Sequence, residues 1–288
     1  MKHEARKIFP WYGWIGLILV ALFWYFNWAL DGLRTSWGFF PLWLGYILSI
    51  NGFIHWRKGN SQVTRNFTAF LALFLISSPF WWLFELIDLR TDYWVYLGRE
   101  QYTDFEYFVL ATISFSTVLP AVMATSELVG SFRFINWFNN LIKVSNSNLV
   151  ASIFFILGSI MLIALLIWPQ YFPAFMWMSL YFITEAINVW MGNKNLLQYT
   201  KNKNWSPIFA LWIGCLICGF FWEMWNIHSY PKWIYQVPFV DFWYLFEMPA
   251  LGYLGYLPFA LELYAMYMLL INLVGKKKWE NYISLVSG

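Results

Sequence analysis

The chain has 288 residues, of which 60% are hydrophobic, 24% aromatic and only 11% charged, with a formal net charge of +3. A soluble domain carries about 25% charged residues, so this chain cannot cover a water-facing surface. A soluble enzyme, a disordered chain and a disulfide-rich secreted scaffold are therefore excluded. The basic excess does not point to nucleic acid: its densest cluster, Lys276, Lys277 and Lys278, follows a long apolar run and reads as a topology anchor near anionic lipid.

A bilayer core needs about 20 apolar residues per helical span. Eight runs of that order occur, at 12–30, 38–56, 67–87, 107–129, 149–168, 173–191, 207–227 and 249–273. The first follows Lys2, Arg6 and Lys7 but is too long and too rich in Trp for a signal peptide, and no small-residue cleavage site follows it. The runs are apolar on all faces, unlike the alternating strands of a membrane barrel. Connecting segments 1–11, 57–66, 130–148, 192–206 and 274–288 hold 14 of the 18 Lys and Arg. The alternate segments hold Arg34, Arg90, Arg99 and Lys232, together with eight carboxylates including Asp31, Asp88, Glu106 and Glu247. By the positive-inside rule this alternation predicts eight spans with both termini cytoplasmic, consistent with a bacterial inner membrane. Trp11, Tyr12, Trp14, Trp81, Trp82, Trp233 and Tyr235 sit at run ends and read as an interfacial belt.

The two halves resemble each other. Phe39-Phe40-Pro41 matches Tyr171-Phe172-Pro173 at an offset of 132, and Gly59-Asn60 matches Gly192-Asn193 at 133. Glu85 and Glu223 close equivalent aromatic runs at an offset of 138, Trp94-x-Tyr96 matches Trp233-x-Tyr235 at 139, and Leu119-Pro120 matches Leu257-Pro258 at 138. The expected fold is all-α integral membrane, built from two tandem four-helix modules, 1–142 and 143–288. An even helix number gives both modules one orientation, with a pseudo-twofold axis along the membrane normal.

Five carboxyls fall inside the expected spans: Glu85, Glu127, Glu185, Glu223 and Glu262. Each costs at least about 2.5–3.5 kcal/mol at bilayer depth on insertion scales, which makes all five candidate acid–base residues. Asp88, Asn188 and Asn226 follow Glu85, Glu185 and Glu223 by three residues, hence on the same helix face. These three, with Trp82 and Trp222, are candidate ligand contacts. Glu85 and Glu223, if they meet at the module interface, cannot both ionise cheaply.

Other chemistries find little support. Only His3, His55 and His228 are present, too few and too scattered for a haem pair or a histidine-box desaturase, and no lysine lies in a span to form a Schiff base. Cys215 and Cys218 read as small apolar residues on one helix, and the Glu-x-x-His pairs of a carboxylate di-metal site are missing. No metal or cofactor is expected. Gly252, Gly255 and Pro258 read as small-residue packing and a kink.

The runs FFPLWLGYI (39–47) and FEMPALGYLGYLPFALE (246–262) resemble those of an uncharacterised family of bacterial polytopic membrane proteins. In plan the chain is also similar in style to membrane lycopene cyclases and carotenoid hydratases, which use small helical modules with intramembrane glutamates. The adjacent acidic pair of the cyclase modules is absent here, so no catalytic residue is carried across. The expected function is a buried site that binds, or acts by acid–base chemistry on, an apolar ligand such as an isoprenoid, carotenoid or quinone. The alternatives are a small proton- or cation-coupled transporter, or a non-catalytic subunit of a larger membrane complex. Membrane lipids are expected partners; the sequence names no protein partner.

Overall fold

A computed structural model describes residues 8–30 and 37–286. Lys2, His3, Arg6, Lys7, Asp31, Arg34 and both chain ends lie outside the described residues. The described residues are 70% helical with almost no sheet. Its long helices are α1 (Trp11–Ala29) and α2 (Phe39–Lys58), then, after a single turn α3 (Gln62–Arg65), α4 (Phe67–Thr91). The short strand β1 (Trp94–Leu97) leads to α5 (Asp104–Phe115) and α6 (Val118–Gly130). There follow α7 (Asn148–Ile167), α8 (Phe175–Trp190), the turn α9 (Leu197–Thr200) and α10 (Ser206–Asn226). Strands β2 (Lys232–Tyr235), β3 (Tyr244–Leu245) and β4 (Met248–Pro249) precede α11 (Tyr256–Leu273).

Among the described residues, six helical stretches are long and apolar enough to cross a membrane: α1, α4, α5 with α6, α7, α10, and residues 250–273. The chain is thus an integral membrane protein by helix length and composition. Of the remaining two expected runs, α8 is only 16 residues long, and α2 is diluted by Ser49, Asn51, His55, Arg57 and Lys58.

Two expected helices differ in detail. The run 107–129 breaks between α5 and α6. Pro120 has no N–H to donate to the Ser116 carbonyl, and the Ser116 and Thr117 hydroxyls turn back onto the Ile113 and Ser114 carbonyls at 2.6 and 2.7 Å. The run 249–273 opens as a 3-10 segment, Ala250–Gly255, before α11 begins. Pro258 therefore lies in the first turn of α11, where a missing N–H costs little, rather than kinking a longer helix.

Close packing of α1 on α2 needs glycine on both sides. A Cβ on Gly16 would stand 2.5 Å from the Ser49 backbone nitrogen, and one on Gly45 would stand 2.8 Å from that of Val20. Small residues let helix backbones approach where lipid supplies no hydrophobic drive.

The connections gather at two ends. At one, Tyr93 donates its phenol to the Pro169 carbonyl at 2.6 Å, and Arg90 reaches the Ile167 carbonyl at 3.1 Å. There β1 pairs antiparallel with β2, Trp94 opposite Tyr235 and Tyr96 opposite Trp233. At the other end Asn139 bridges to Asn204, Lys194 contacts Glu280 and Asn281, and Arg65 holds the Tyr282 carbonyl. A continuous core of aromatic and aliphatic side chains, including Trp43, Phe84, Trp225, Phe259 and Tyr264, runs between the ends.

Candidate functional site

Between the β1–β2 ladder and helices α4, α5, α8, α10 and α11 lies a cavity of about 540 Å³. Ligand sites of small molecules fall at about 300–1,000 Å³. Fifteen of the residues in its wall are aromatic, among them Trp81, Trp94, Trp177, Trp222, Trp233 and Tyr256. Glu223 supplies the only carboxyl group in that wall among the described residues.

Tyr235 and Tyr256 both donate to Glu223 Oε1, at 2.7 and 2.6 Å, and Trp233 Nε1 donates to the Tyr235 hydroxyl at 3.0 Å. Glu223 Oε2 is buried and has no protein partner. The carboxyl is thus held by one oxygen, and the other is left unpaired. Burial among the rings, then the nearby Glu223, pushes the Tyr235 phenol well above its usual pKa, so it stays a donor.

Glu85 is built on a similar plan but more completely satisfied. Trp81 Nε1, Trp94 Nε1 and the Tyr96 hydroxyl donate to its Oε1 at 2.8, 3.2 and 2.6 Å. Its three donors line the cavity, whereas Glu85 itself sits behind them. Each glutamate thus takes a tyrosine from its own strand, and the ladder brings the two strands side by side. No hydrogen bond joins the two carboxyls among the described residues, so each is answered by phenol and indole donors rather than by the other.

The residues three positions on serve the backbone. Asp88 Oδ1 accepts from the Tyr93 N–H at 2.8 Å and the Thr91 hydroxyl at 3.0 Å, which turns the chain from α4 into β1. Asn226 brackets Trp233, accepting from its N–H at 3.0 Å and donating to its carbonyl at 2.6 Å, which does the same between α10 and β2. Neither lines the cavity. Both still shape it, because they place the strands that carry its rings.

The other candidates are dispersed. Glu127 lies at the opposite end, where Arg65 forks onto it (2.5 and 3.2 Å) and Lys58, Gln62 and the Ser284 N–H reach it at 3.4, 3.3 and 3.4 Å. Glu185 Oε1 receives the N–H groups of Leu196 and Leu197 at 2.6 and 2.9 Å, tying the loop before α9 to α8. Asn188 donates to the Ala265 carbonyl at 2.8 Å, joining α8 to α11. Glu262 is fully buried on α11 with neither oxygen paired. Trp82 bonds Thr112 Oγ1 at 3.0 Å and stacks on Phe108, outside the cavity wall. Of the ten candidates, only Glu223 and Trp222 line the cavity.

The aromatic belt also divides. Trp11 and Trp14 are exposed, as interfacial residues should be, but Tyr12 is buried with its hydroxyl on Ser61 at 2.8 Å. Trp81, Trp233 and Tyr235 face the cavity instead. Their spacing alone carried the signal, because a Trp-x-Tyr pair follows each of the two glutamates, nine residues after Glu85 and ten after Glu223. Cys215 and Cys218 are free and buried, Cys218 lying 3.3 Å from Thr125 Oγ1.

Compared with known protein families, with curated proteins and with solved structures, the chain matches none.

Proposed function

We propose that this chain crosses the membrane eight times as two co-oriented four-helix modules, with both termini cytoplasmic, and holds an apolar ligand at their outer junction. The cavity is the observation that carries the proposal. Its wall is almost wholly aromatic and aliphatic, it belongs to elements from both halves, and it contains one half-satisfied carboxyl, Glu223. An isoprenoid-like body fits such a wall because burial of apolar surface is worth about 25 cal/mol per Å². A carboxyl fixed through one oxygen can hydrogen-bond, or exchange a proton with, the ligand's polar end.

The parallel construction around Glu85 and Glu223 supports the two modules. Each glutamate closes a helix, each accepts from the tyrosine of a Trp-x-Tyr strand, and the two strands pair. The two ends at which the connections gather support the eight passes: residues 57–66, 130–148, 192–206 and 274–286 meet at one end, away from the ladder.

The test is equilibrium binding of farnesol to the purified protein in nanodiscs, followed by intrinsic Trp fluorescence. Saturable quenching is expected. Ala111→Trp, which adds bulk at the cavity wall, should abolish it while unfolding stability is retained. No saturable response in the wild-type protein, or an identical response from the filled variant, would overturn the proposal.

A further inference from the structure

The charge of the cavity wall narrows the ligand class. Among the described residues that line it there is no Lys, Arg or His. The basic side chains beside it are already answered: Lys232 is paired with Glu247 and Arg99 with Asp104, and Arg99 also lies over the Tyr107 ring at 4.3 Å. An anionic head group, such as a diphosphate or a fatty-acid carboxylate, would lose its water here and find no counter-charge. The wall is built for the opposite sign. Its rings present negative π faces, and Glu223 Oε2 is a buried acceptor with no protein donor.

The site around that oxygen is specific. Tyr235 and Tyr256 saturate Oε1, Trp222 stacks on Tyr256 at 6.0 Å between centroids, and Trp233 is tied to Tyr235. Two tyrosines thus bind one oxygen of a carboxyl whose other oxygen is buried without a protein partner, and two tryptophans pack on or bond to those tyrosines. Aromatic faces around a carboxyl are the chemistry that recognises ammonium groups.

Resting on the ligand cavity proposed above, we infer that its ligand is an organic cation, an amine or quaternary ammonium carried on an apolar body, seated with its charge against Glu223. The cation supplies the charge partner that the wall lacks. The apolar body occupies the remainder of the 540 Å³ chamber.

Two probes of the same shape test this. Benzyltrimethylammonium carries the cation, and neopentylbenzene replaces its nitrogen by carbon. Dissociation constants for both are measured by Trp fluorescence on the wild-type protein and on Glu223→Gln in nanodiscs, with Ala111→Trp as the blocked control. A charge-assisted contact corresponds to about a 10- to 100-fold preference for the cation in the wild type. Glu223→Gln, which keeps the volume, should bring the two affinities together. Equal affinity for both probes in the wild-type protein would overturn the inference while leaving the cavity proposal standing, and that comparison does not depend on any variant folding. A cation preference that survives Glu223→Gln would also overturn it. If neither probe nor farnesol binds, the cavity proposal itself fails and the inference with it.

Discussion

The ion cluster around Glu127 makes the sharpest stability prediction. Glu127 is fully buried, and Arg65 and Lys58 face it with side chains that remain 23% and 16% exposed. The two sides of the pair are therefore unequal. Removing Arg65 strands a carboxylate that cannot reach water, with one lysine at 3.4 Å in reserve. Breaking a buried pair in this way costs about 3–5 kcal/mol. Removing Glu127 leaves two cations that can turn outward, and only the lost hydrogen bonds count, about 1–3 kcal/mol. Replacing both partners by methionine removes the stranded charge, so Arg65→Met with Glu127→Met should lie within about 2 kcal/mol of the wild type. The expected order of stability is wild type, double variant or Glu127→Met, then Arg65→Met, with a coupling energy of at least about 2 kcal/mol. Reversible unfolding in mixed micelles, followed by Trp fluorescence, measures all four proteins. Arg65→Met no more damaging than Glu127→Met, or additive single effects, would refute the account of Glu127 as a buried anchor for the C-terminal segment.

Tyr235→Phe removes one of two donors to the fully buried Glu223, whereas Tyr96→Phe leaves Glu85 two indole donors. The first should cost about 1–3 kcal/mol and the second about 0.5–1.5 kcal/mol in the same unfolding assay, and a reversed order would contradict the assignment of Glu223 as the less satisfied carboxyl. Burial is the main cause that holds the phenols of Tyr93, Tyr96, Tyr235 and Tyr282 above their usual pKa of 10.0. The unfolded chain then loses these protons first, so stability should be level below about pH 10 and fall as pH rises beyond it. Unfolding midpoints unchanged up to pH 12 would show these phenols to be solvent-reached. Single cysteines at Lys143 and Lys201 should be labelled only from the cytoplasmic side, and one at Glu100 only from the outer side; labelling of Lys201 and Glu100 variants from the same side would break the eight-span order.

Composition alone determined the solvent. With 11% charged residues the chain has too little polar surface for water, and in lipid the backbone must satisfy itself within helices. Helix positions followed because span length and apolar run length are local properties, readable without knowing any neighbour. Departures came where backbone chemistry intervenes, as at Ser116, Thr117 and Pro120. Local spacing also set Glu85 beside Glu223, since each precedes a Trp-x-Tyr pair, by nine and ten residues respectively.

Which glutamate meets a cavity was decided only in three dimensions. Glu85, Glu127, Glu185, Glu223 and Glu262 are alike in sequence, each a carboxyl in an apolar run. For two of them the partners come from residues far along the chain: Arg65 and Ser284 for Glu127, Tyr256 for Glu223. Hydropathy has no term for such partners. The ladder that encloses the cavity joins Trp94 to Tyr235 across more than a hundred residues, and strand pairing of that kind follows from how the helices pack. The same packing turned Trp81, Trp233 and Tyr235 inward while Trp11 and Trp14 stayed exposed. Aromatic rings at a helix end are equally suited to lipid head groups and to a cavity wall, and only the neighbouring elements choose between them.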